Sequence, residues 1–216
     1  MISDILEQRI NACDGQFRLG VFGGTFDPIH LGHLILAQSA YEQFALDNVL
    51  LIPTGRPTRK LSSGFSDAEQ RLAMTEAAVT GDERFAVSRL EIDRPGTTYT
   101  IDTIRALKAA WGDRVLLYLI TGADAAADLP TWKGAAEIAA GLQAVLFARR
   151  PGTEQGELAQ AAQLLDCEIA EISMPLIDIS AMDLRKRIQT GRTLRYLVPE
   201  AVENYIRDTG LYQESA

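Results

Sequence analysis

The chain has 216 residues, enough for a complete hydrophobic core, and its composition is typical of a globular protein. No apolar run approaches the roughly 18 residues that span a bilayer, and residues 1–16 lack a hydrophobic signal region, so we expect a cytoplasmic protein without membrane association. The net charge of −8 argues against general nucleic-acid binding, because contacts to phosphates need a basic face.

Short apolar segments alternate with helical patterns along most of the chain. The segments predict strands at residues 19–22, 48–52, 85–88, 115–120, 144–148 and 168–172. The patterns predict a peripheral helix within residues 1–16 and further helices at residues 31–45, 67–79, 101–110, 134–140 and 158–165. Ser66 and Glu69 have the spacing of a capping box, and Gly112 is a suitable helix stop. Strands that alternate with helices predict an α/β fold with a doubly wound parallel sheet.

The C-terminal part of the sequence is helical without further strands. Ser180 stands where a helix N-cap is expected, and Pro199 opens a last helix that Gly210 closes. No repeat, low-complexity tract or linker interrupts the chain. We therefore expect one domain over residues 1–216, with an N-terminal helical extension at 1–17 and a C-terminal helical part at 180–212.

The only two histidines, His30 and His33, lie in a glycine-punctuated stretch after the first predicted strand. A strand, a glycine turn and a helix present backbone N–H groups and a helix N-terminus to an anion, and neutral imidazole can donate to a phosphate oxygen. A surface pair would not need the neighbouring Gly23, Gly24 and Gly32. A zinc site usually has further ligands at short spacing. The stretch therefore favours phosphate binding.

Other candidate residues follow the remaining strands, at the sheet edge where ligands bind in parallel α/β folds. Glycines, cations and one acid occur in residues 23–26, 53–60, 121–124, 149–152 and 180–185. Neither a Gly-x-Gly-x-x-Gly fingerprint nor a Walker P-loop is present. These residues indicate a nucleotide site of another class.

Two motifs identify a family resemblance. Residues 23–33 resemble the (T/H)xGH signature of the nucleotidyltransferase superfamily, and residues 179–185 resemble its second signature, ISSTxxR. Together with residues 98–100, 122–124, 131–132 and 149–152, they make the chain similar to bacterial nicotinate-nucleotide adenylyltransferases from about residue 19 to 212. The first signature is specific only for the superfamily, whereas the later segments in this order are specific for this member.

The resemblance implies a Rossmann-like nucleotidyltransferase fold and transfer of AMP from ATP to nicotinate mononucleotide, which gives nicotinate adenine dinucleotide and pyrophosphate. Mg²⁺ would bind through the ATP phosphates, and the resemblance implies no protein metal site and no protein nucleophile. The implied catalytic residues are His30, His33 and Arg185. The implied ATP-binding residues are Gly23, Gly24, Thr25, Phe26, Gly122, Asp124, Arg150 and Ser180. The implied mononucleotide-binding residues are Lys60, Tyr99, Thr100 and Trp132, with Trp132 stacking on the pyridine ring. The two substrates are the expected partners, and a homo-oligomer is compatible with the resemblance.

Several alternatives stay open at the level of the sequence. Met182 stands where the second signature has Thr and cannot donate a hydrogen bond, and Arg59 stands where many relatives have His. Trp132 could be a core residue, while Asp124 and Ser180 could be helix caps. The enzyme could instead use nicotinamide mononucleotide or phosphopantetheine, or the chain could be a non-catalytic nucleotide sensor. Residues expected to be surface or structural groups are Arg71, Arg89 and Arg94.

Overall fold

Six parallel strands form one sheet in a computed structural model, which describes residues 4–57, 65–148 and 155–213. The strands are β1 (Phe17–Gly24), β2 (Asn48–Pro53), β3 (Phe85–Val87), β4 (Val115–Gly122), β5 (Ala144–Ala148) and β6 (Ile169–Ile172). Their order is β3-β2-β1-β4-β5-β6, and each adjacent pair is parallel. The predicted doubly wound sheet is therefore confirmed, and its topological switch point lies between β1 and β4.

Helices cover both faces of the sheet. They are α1 (Asp4–Ala12), α2 (Leu31–Gln43), α3 (Ala68–Val79), α4 (Thr100–Trp111), α5 (Ala123–Asp128), α6 (Ala135–Ala140), α7 (Gln155–Leu165), α8 (Ala181–Gln189) and α9 (Glu200–Thr209). Short 3₁₀ turns follow α4 and α5, at Gly112–Arg114 and Leu129–Thr131. No helix of the described residues is both long and apolar enough to cross a membrane.

Successive side chains of a strand point to opposite faces, so the sheet separates two hydrophobic cores. In β2, Val49 and Leu51 belong to the core that also contains side chains of α2, α3, α8 and α9. Leu50 and Ile52 belong to the core on the other face, with side chains of α1, α4, α5, α6 and α7. Each core takes every second residue of a strand, and therefore the strand is buried on both faces and its sequence is continuously apolar.

Strand β1 is longer than the sequence predicts. Gly23 and Gly24 continue the ladder, opposite Ile52 and Pro53 of β2, although the sequence favours a turn beginning at Gly23. Hydrogen bonding to β2 overrides the low strand propensity of glycine. The glycine pair therefore forms the carboxyl end of β1 and has an extended backbone.

The capping box predicted for α3 is wrong in its register. Asp67, not Ser66, is the N-cap: its side chain accepts from the backbone N–H of Gln70 at 2.8 Å, and Gln70 Oε1 accepts from the backbone N–H of Asp67 at 3.1 Å. The helices predicted at residues 31–45 and 158–165 end and begin elsewhere, at Gln43 and Gln155, whereas the predicted capping residues of the other helices are confirmed. Ser180 caps α8, and positive-φ glycines follow the last residues of α4 and α9.

Candidate active site

Two cavities open at the carboxyl edge of the sheet and meet at the switch point. The larger, about 430 Å³, contains Tyr99 and Trp132 in its lining and is called the aromatic cavity below. The smaller, about 240 Å³, contains His30 and His33 and is called the histidine cavity. Gly23 and Thr121, near the ends of β1 and β4, line both cavities. Two ligands can therefore lie side by side with their adjoining ends at this point.

The backbone between β1 and α2 fixes the two histidines as a stacked pair. Their ring centroids are 3.6 Å apart with an interplanar angle of 21°. The backbone N–H of His30 donates to Nδ1 of His33 at 3.3 Å, so the proton of a neutral His33 ring is on Nε2, where it can serve a ligand. Gly32 leaves room for the His30 ring, since a Cβ at this position would make a tight contact of 3.1 Å with Nδ1 of His30.

Phe26 packs against the His33 ring of this pair and lines neither cavity. Its ring centroid is 5.1 Å from that of His33, with an edge-on geometry, and it is buried. A φ of +50° lets the ring turn under Gly24, where a Cβ would meet the ring at 2.7 Å. Such a backbone is unfavourable for a phenylalanine and persists only because the surrounding contacts hold it.

Ser180 and Gly122 complete the histidine cavity among the residues named from the sequence. The hydroxyl oxygen of Ser180 accepts from the backbone N–H of Asp183 at 3.1 Å, so the residue caps α8 at the cavity wall. Met182, in the first turn of α8, is exposed. The segment between β6 and α8 adds apolar side chains and Asp178 to the lining.

The aromatic cavity brings together residues from three separate segments. Thr100 is the first residue of α4 and Tyr99 its N-cap, so this helix directs its N-terminus at the cavity. Trp132 follows the 3₁₀ turn after α5, and Lys133 next to it places Nζ 4.2 Å from the ring centroid of Tyr99. Gly24 and Thr25, which the resemblance implies as ATP-binding residues, line this cavity and not the histidine cavity.

Glu91 is a buried acid in the wall of the aromatic cavity that the sequence did not single out. The hydroxyl of Thr103 donates to its carboxylate at 2.7 Å, and Arg94 donates to the same hydroxyl oxygen at 3.2 Å. Burial raises the pKa of Glu91 above its ordinary value, more than Thr103 and the nearby arginines lower it. The carboxyl group is thereby biased towards its neutral form.

Arg71, expected to be a surface or structural group, is structural. Its buried guanidinium donates to the backbone oxygens of Thr25 at 2.9 Å and Gly55 at 3.1 Å, which ties the chain after β1 to the chain after β2. Gly55 is required there, because a Cβ would lie 2.1 Å from the backbone oxygen of Glu91. The Arg71 side chain thus holds together two chain segments that contribute Thr25 and Thr54 to the lining of the aromatic cavity.

Besides Phe26, two implied residues of the described chain are not in the linings. Arg185 donates to the backbone oxygen of Asp27 at 2.6 Å and lines neither cavity. Asp124 is exposed in the first turn of α5, and the N-cap position of this helix is Gly122. Lys60 and Arg150 lie outside the described residues, as do Arg59 and Arg149.

The residues missed by sequence reasoning differ in the signal they offered. Lys133 directly follows Trp132, so the segment was found but not the cation. Glu91 has no local signal, since its partner Thr103 comes from another element, and the backbone partners of Arg71 were likewise not predictable, although its structural role was expected. Both could have been found only by knowing which elements meet.

Known proteins resemble this chain over most of its length. The cytidylyltransferase-like family model matches residues 21–187. A protein of Thermoanaerobacter sp. (strain X514) is 42% identical over 203 residues, which cover 92% of this chain and 96% of that protein. A protein of Thermus thermophilus is 43% identical over 196 residues, which cover 91% of this chain and 100% of that protein. Both relatives bear the name "Probable nicotinate-nucleotide adenylyltransferase".

A solved structure supports the fold independently of sequence. The nicotinic acid mononucleotide adenylyltransferase of Plasmodium falciparum, complexed with NaAD, superposes with a TM-score of 0.76, at 16% identity. The match covers 91% of this chain and 98% of that chain. Because the family model spans most of the sequence and relatives above 40% identity span nine-tenths of it, this chain belongs to the cytidylyltransferase-like family and, within it, to the nicotinate-nucleotide adenylyltransferases.

Proposed function

We propose that this protein transfers the adenylyl group of ATP to nicotinate mononucleotide, with ATP in the histidine cavity and the mononucleotide in the aromatic cavity. The observation that supports this arrangement is the meeting of the two cavities at Gly23 and Thr121. A Cβ at Gly23 would meet nothing within 4 Å, so the glycine leaves its space to the ligands. The names of relatives at above 40% identity supply the substrates.

The chemistry needs positioning and charge stabilisation rather than a protein nucleophile. A phosphate oxygen of the mononucleotide forms a bond to the α-phosphorus of ATP, while the bond from that phosphorus to the oxygen of the β-phosphate breaks and pyrophosphate leaves. His33, whose donor proton in the neutral ring is on Nε2, and the stacked His30 would donate to phosphate oxygens as negative charge builds up. Ser180 would present the N-terminus of α8 to the leaving phosphates.

Further ATP contacts are assigned by family position. Gly23, Gly24 and Thr25 line the aromatic cavity, and Gly23 also lines the histidine cavity, so they would lie beside the adjoining phosphates of the two substrates. Gly122 lines the histidine cavity at the start of α5, where it can approach the ribose. Other ATP-side assignments are Phe26 (through His33), Asp124, Arg150 and Arg185.

The aromatic cavity suits a nicotinate ring. Trp132 offers a flat apolar surface for stacking, while Thr100 and the N-terminus of α4 offer donors to a carboxylate. Lys133 adds the one cation among the described lining residues, and the buried Glu91 repels an anion least when it is neutral. We therefore place the ring carboxylate towards Thr100 and Lys133. Tyr99 lies under Lys133, and Lys60 is assigned to the mononucleotide by family position.

Mg²⁺ is proposed as the cofactor, bound through the ATP phosphates. The donor set of the histidine cavity fits, since Mg²⁺ often combines one or two carboxylates with substrate phosphates and water, and Asp178 is an exposed carboxylate in that lining. When bound, the ion would neutralise charge on the pyrophosphate that leaves. Among the described residues, no cluster of three or more His, Cys, Asp or Glu side chains could hold a metal.

The wider setting is proposed from the same chemistry. Residues 1–216 would act as one domain in the cytoplasm, on two small substrates and without nucleic acid or membrane partners. The net charge of −8 supports the preference for small anions held locally over long polyanions. Light scattering of the purified protein measures whether copies associate into a homo-oligomer.

Chromatography of the reaction products tests this function. With ATP, Mg²⁺ and nicotinate mononucleotide, we expect equal amounts of nicotinate adenine dinucleotide and pyrophosphate, and loss of both when EDTA is in excess. Parallel reactions with nicotinamide mononucleotide and phosphopantetheine distinguish the related adenylyltransferases. ATP binding without turnover of any of the three acceptors would identify a nucleotide sensor instead.

A further inference from the structure

Arg185 is held in place by Asp27, a buried residue of the first signature. One guanidinium nitrogen donates to the backbone oxygen of Asp27 at 2.6 Å and lies 3.6 Å from its carboxylate Oδ2. The side chain of Arg185 is 14% exposed and that of Asp27 is 1% exposed. The ring of Phe65 covers the guanidinium, with the Cζ atom 4.3 Å from the ring centroid. Asp27 therefore determines the position of the Arg185 guanidinium.

The other carboxylate oxygen of Asp27 is occupied by donors from two distant segments. Tyr212, after the last helix, donates its hydroxyl to Oδ1 at 2.6 Å. The backbone N–H of Ser66 donates to the same oxygen at 3.2 Å, and the hydroxyl of Ser66 donates to that of Tyr212 at 2.7 Å. Oδ1 is thus saturated, while Oδ2 has no hydrogen bond among the described residues and faces Arg185.

A buried carboxylate oxygen without a hydrogen bond needs a compensating charge. The donors on Oδ1 fix the rotation of the Asp27 side chain, so Oδ2 must point to Arg185. Without Tyr212, the carboxylate could turn and satisfy both oxygens elsewhere, and the guanidinium would lose its electrostatic anchor. Tyr212 itself is held in a backbone conformation with φ of +63°, which indicates that surrounding contacts enforce its position.

We infer that Tyr212, through Asp27, is a positioning residue for Arg185, so that the C-terminal segment helps to set up the phosphate end of the ATP site. The inference rests on the proposed role of Arg185 in binding ATP phosphates. Five N–H donors are available on a guanidinium, and only one forms a hydrogen bond within the described part of the chain. Anchoring by Asp27 leaves the others to be aimed at an anion.

The hydroxyl of Tyr212 remains a donor at working pH. Burial raises the pKa of Tyr212 above its ordinary value, and the neighbouring Asp27 raises it further, whereas Ser66 and Arg185 lower it by less. Arg71 is the other cation whose charge acts on both Asp27 and Tyr212, and its guanidinium is already bound to backbone oxygens. The orienting hydrogen bond therefore persists across the range in which the enzyme is assayed.

A double-mutant cycle tests the inference. Tyr212→Phe should lower kcat about tenfold, a size within reach of one hydrogen bond to a charged group, with the KM for nicotinate mononucleotide within about twofold of wild type. In an Arg185→Ala background the same change should have no further effect on kcat, because the arginine to be positioned is gone. Tyr205→Phe is the matched control, since its hydroxyl has no hydrogen bond among the described residues.

The same cycle on ATP binding, measured by calorimetry, gives a second readout that does not require turnover. Tyr212→Phe should weaken ATP binding in the wild-type background only. Equal losses with and without Arg185, in kcat or in ATP affinity, would show a merely structural role and overturn the inference, as would no loss at all. Ser66→Ala, which removes the hydroxyl partner of Tyr212, should act in the same direction and serves if Tyr212→Phe does not fold. A wild-type protein that binds ATP but forms no dinucleotide would refute the proposed function, while the binding cycle would still decide this inference.

Discussion

Replacement of His33 by alanine probes the central assignment of the site. The backbone N–H of His30 donates to Nδ1 of His33, so the donor proton of a neutral ring is on Nε2, and the residue lines the histidine cavity. Loss of one such donor to a transition-state charge costs about 2.7–4 kcal/mol, which corresponds to roughly 10²–10³-fold in kcat. We expect that loss at saturating ATP and mononucleotide, with a smaller change in either KM.

The same change removes packing, which must be measured separately. The His33 ring lies 3.6 Å from the His30 ring and 5.1 Å from the Phe26 ring, between centroids. Losing these contacts costs about 1–2 kcal/mol of stability, a decrease of roughly 2–8 °C in Tm for a chain of this size. The loss of rate should therefore persist at 25 °C, where the variant is folded.

The assay is product formation followed by chromatography, with Tm measured on the same preparation. Gln38→Ala is the control on α2, because its side chain is exposed and pairs only with Glu42 within the described structure. It should keep wild-type kcat. A folded His33→Ala protein with kcat within about threefold of wild type would refute the phosphate role of the histidine.

Three further predictions concern the aromatic cavity. Trp132→Ala should raise KM for the mononucleotide more than for ATP, since stacking is worth about 1–3 kcal/mol per base; a lower Tm with both KM values unchanged would identify Trp132 as a core residue only. Wild type should favour the acid over the amide mononucleotide by at least about 10²-fold in kcat/KM, and equal efficiency with both substrates would contradict the carboxylate placement. Lys133→Met should lower kcat/KM about fivefold for the acid alone, while the control Lys108→Met on α4 should leave kcat/KM for both substrates unchanged. Burial raises the pKa of Glu91, so the folded state binds its proton more tightly and loses stability as pH rises from the ordinary glutamate pKa through the raised one. The Tm of Glu91→Gln minus that of wild type should therefore be larger at pH 8 than at pH 5. An identical Tm difference at both pH values would show that the pKa of Glu91 is not raised.

The sequence by itself predicted the order of strands and helices and the edge of the sheet at which the two cavities open. Apolar strands alternating with helices predict parallel pairing, and the structure confirms it with the order β3-β2-β1-β4-β5-β6. The site stretch from Gly23 to His33 was also predictable, because its glycines, histidines and following helix are neighbours in the chain. Local patterns are visible in sequence since backbone geometry fixes how near neighbours are arranged.

Only the tertiary structure decided which distant residues act together. Ser66 has the spacing of a helix cap, yet it donates to Asp27 and Tyr212, which lie 39 and 146 positions away. Arg185 reaches Asp27 across 158 positions. Such pairs depend on the strand order and on the face to which each helix returns, and these follow from packing of the two cores as a whole. The periodicity of a segment records which side is buried, but not which polar partner it will meet there.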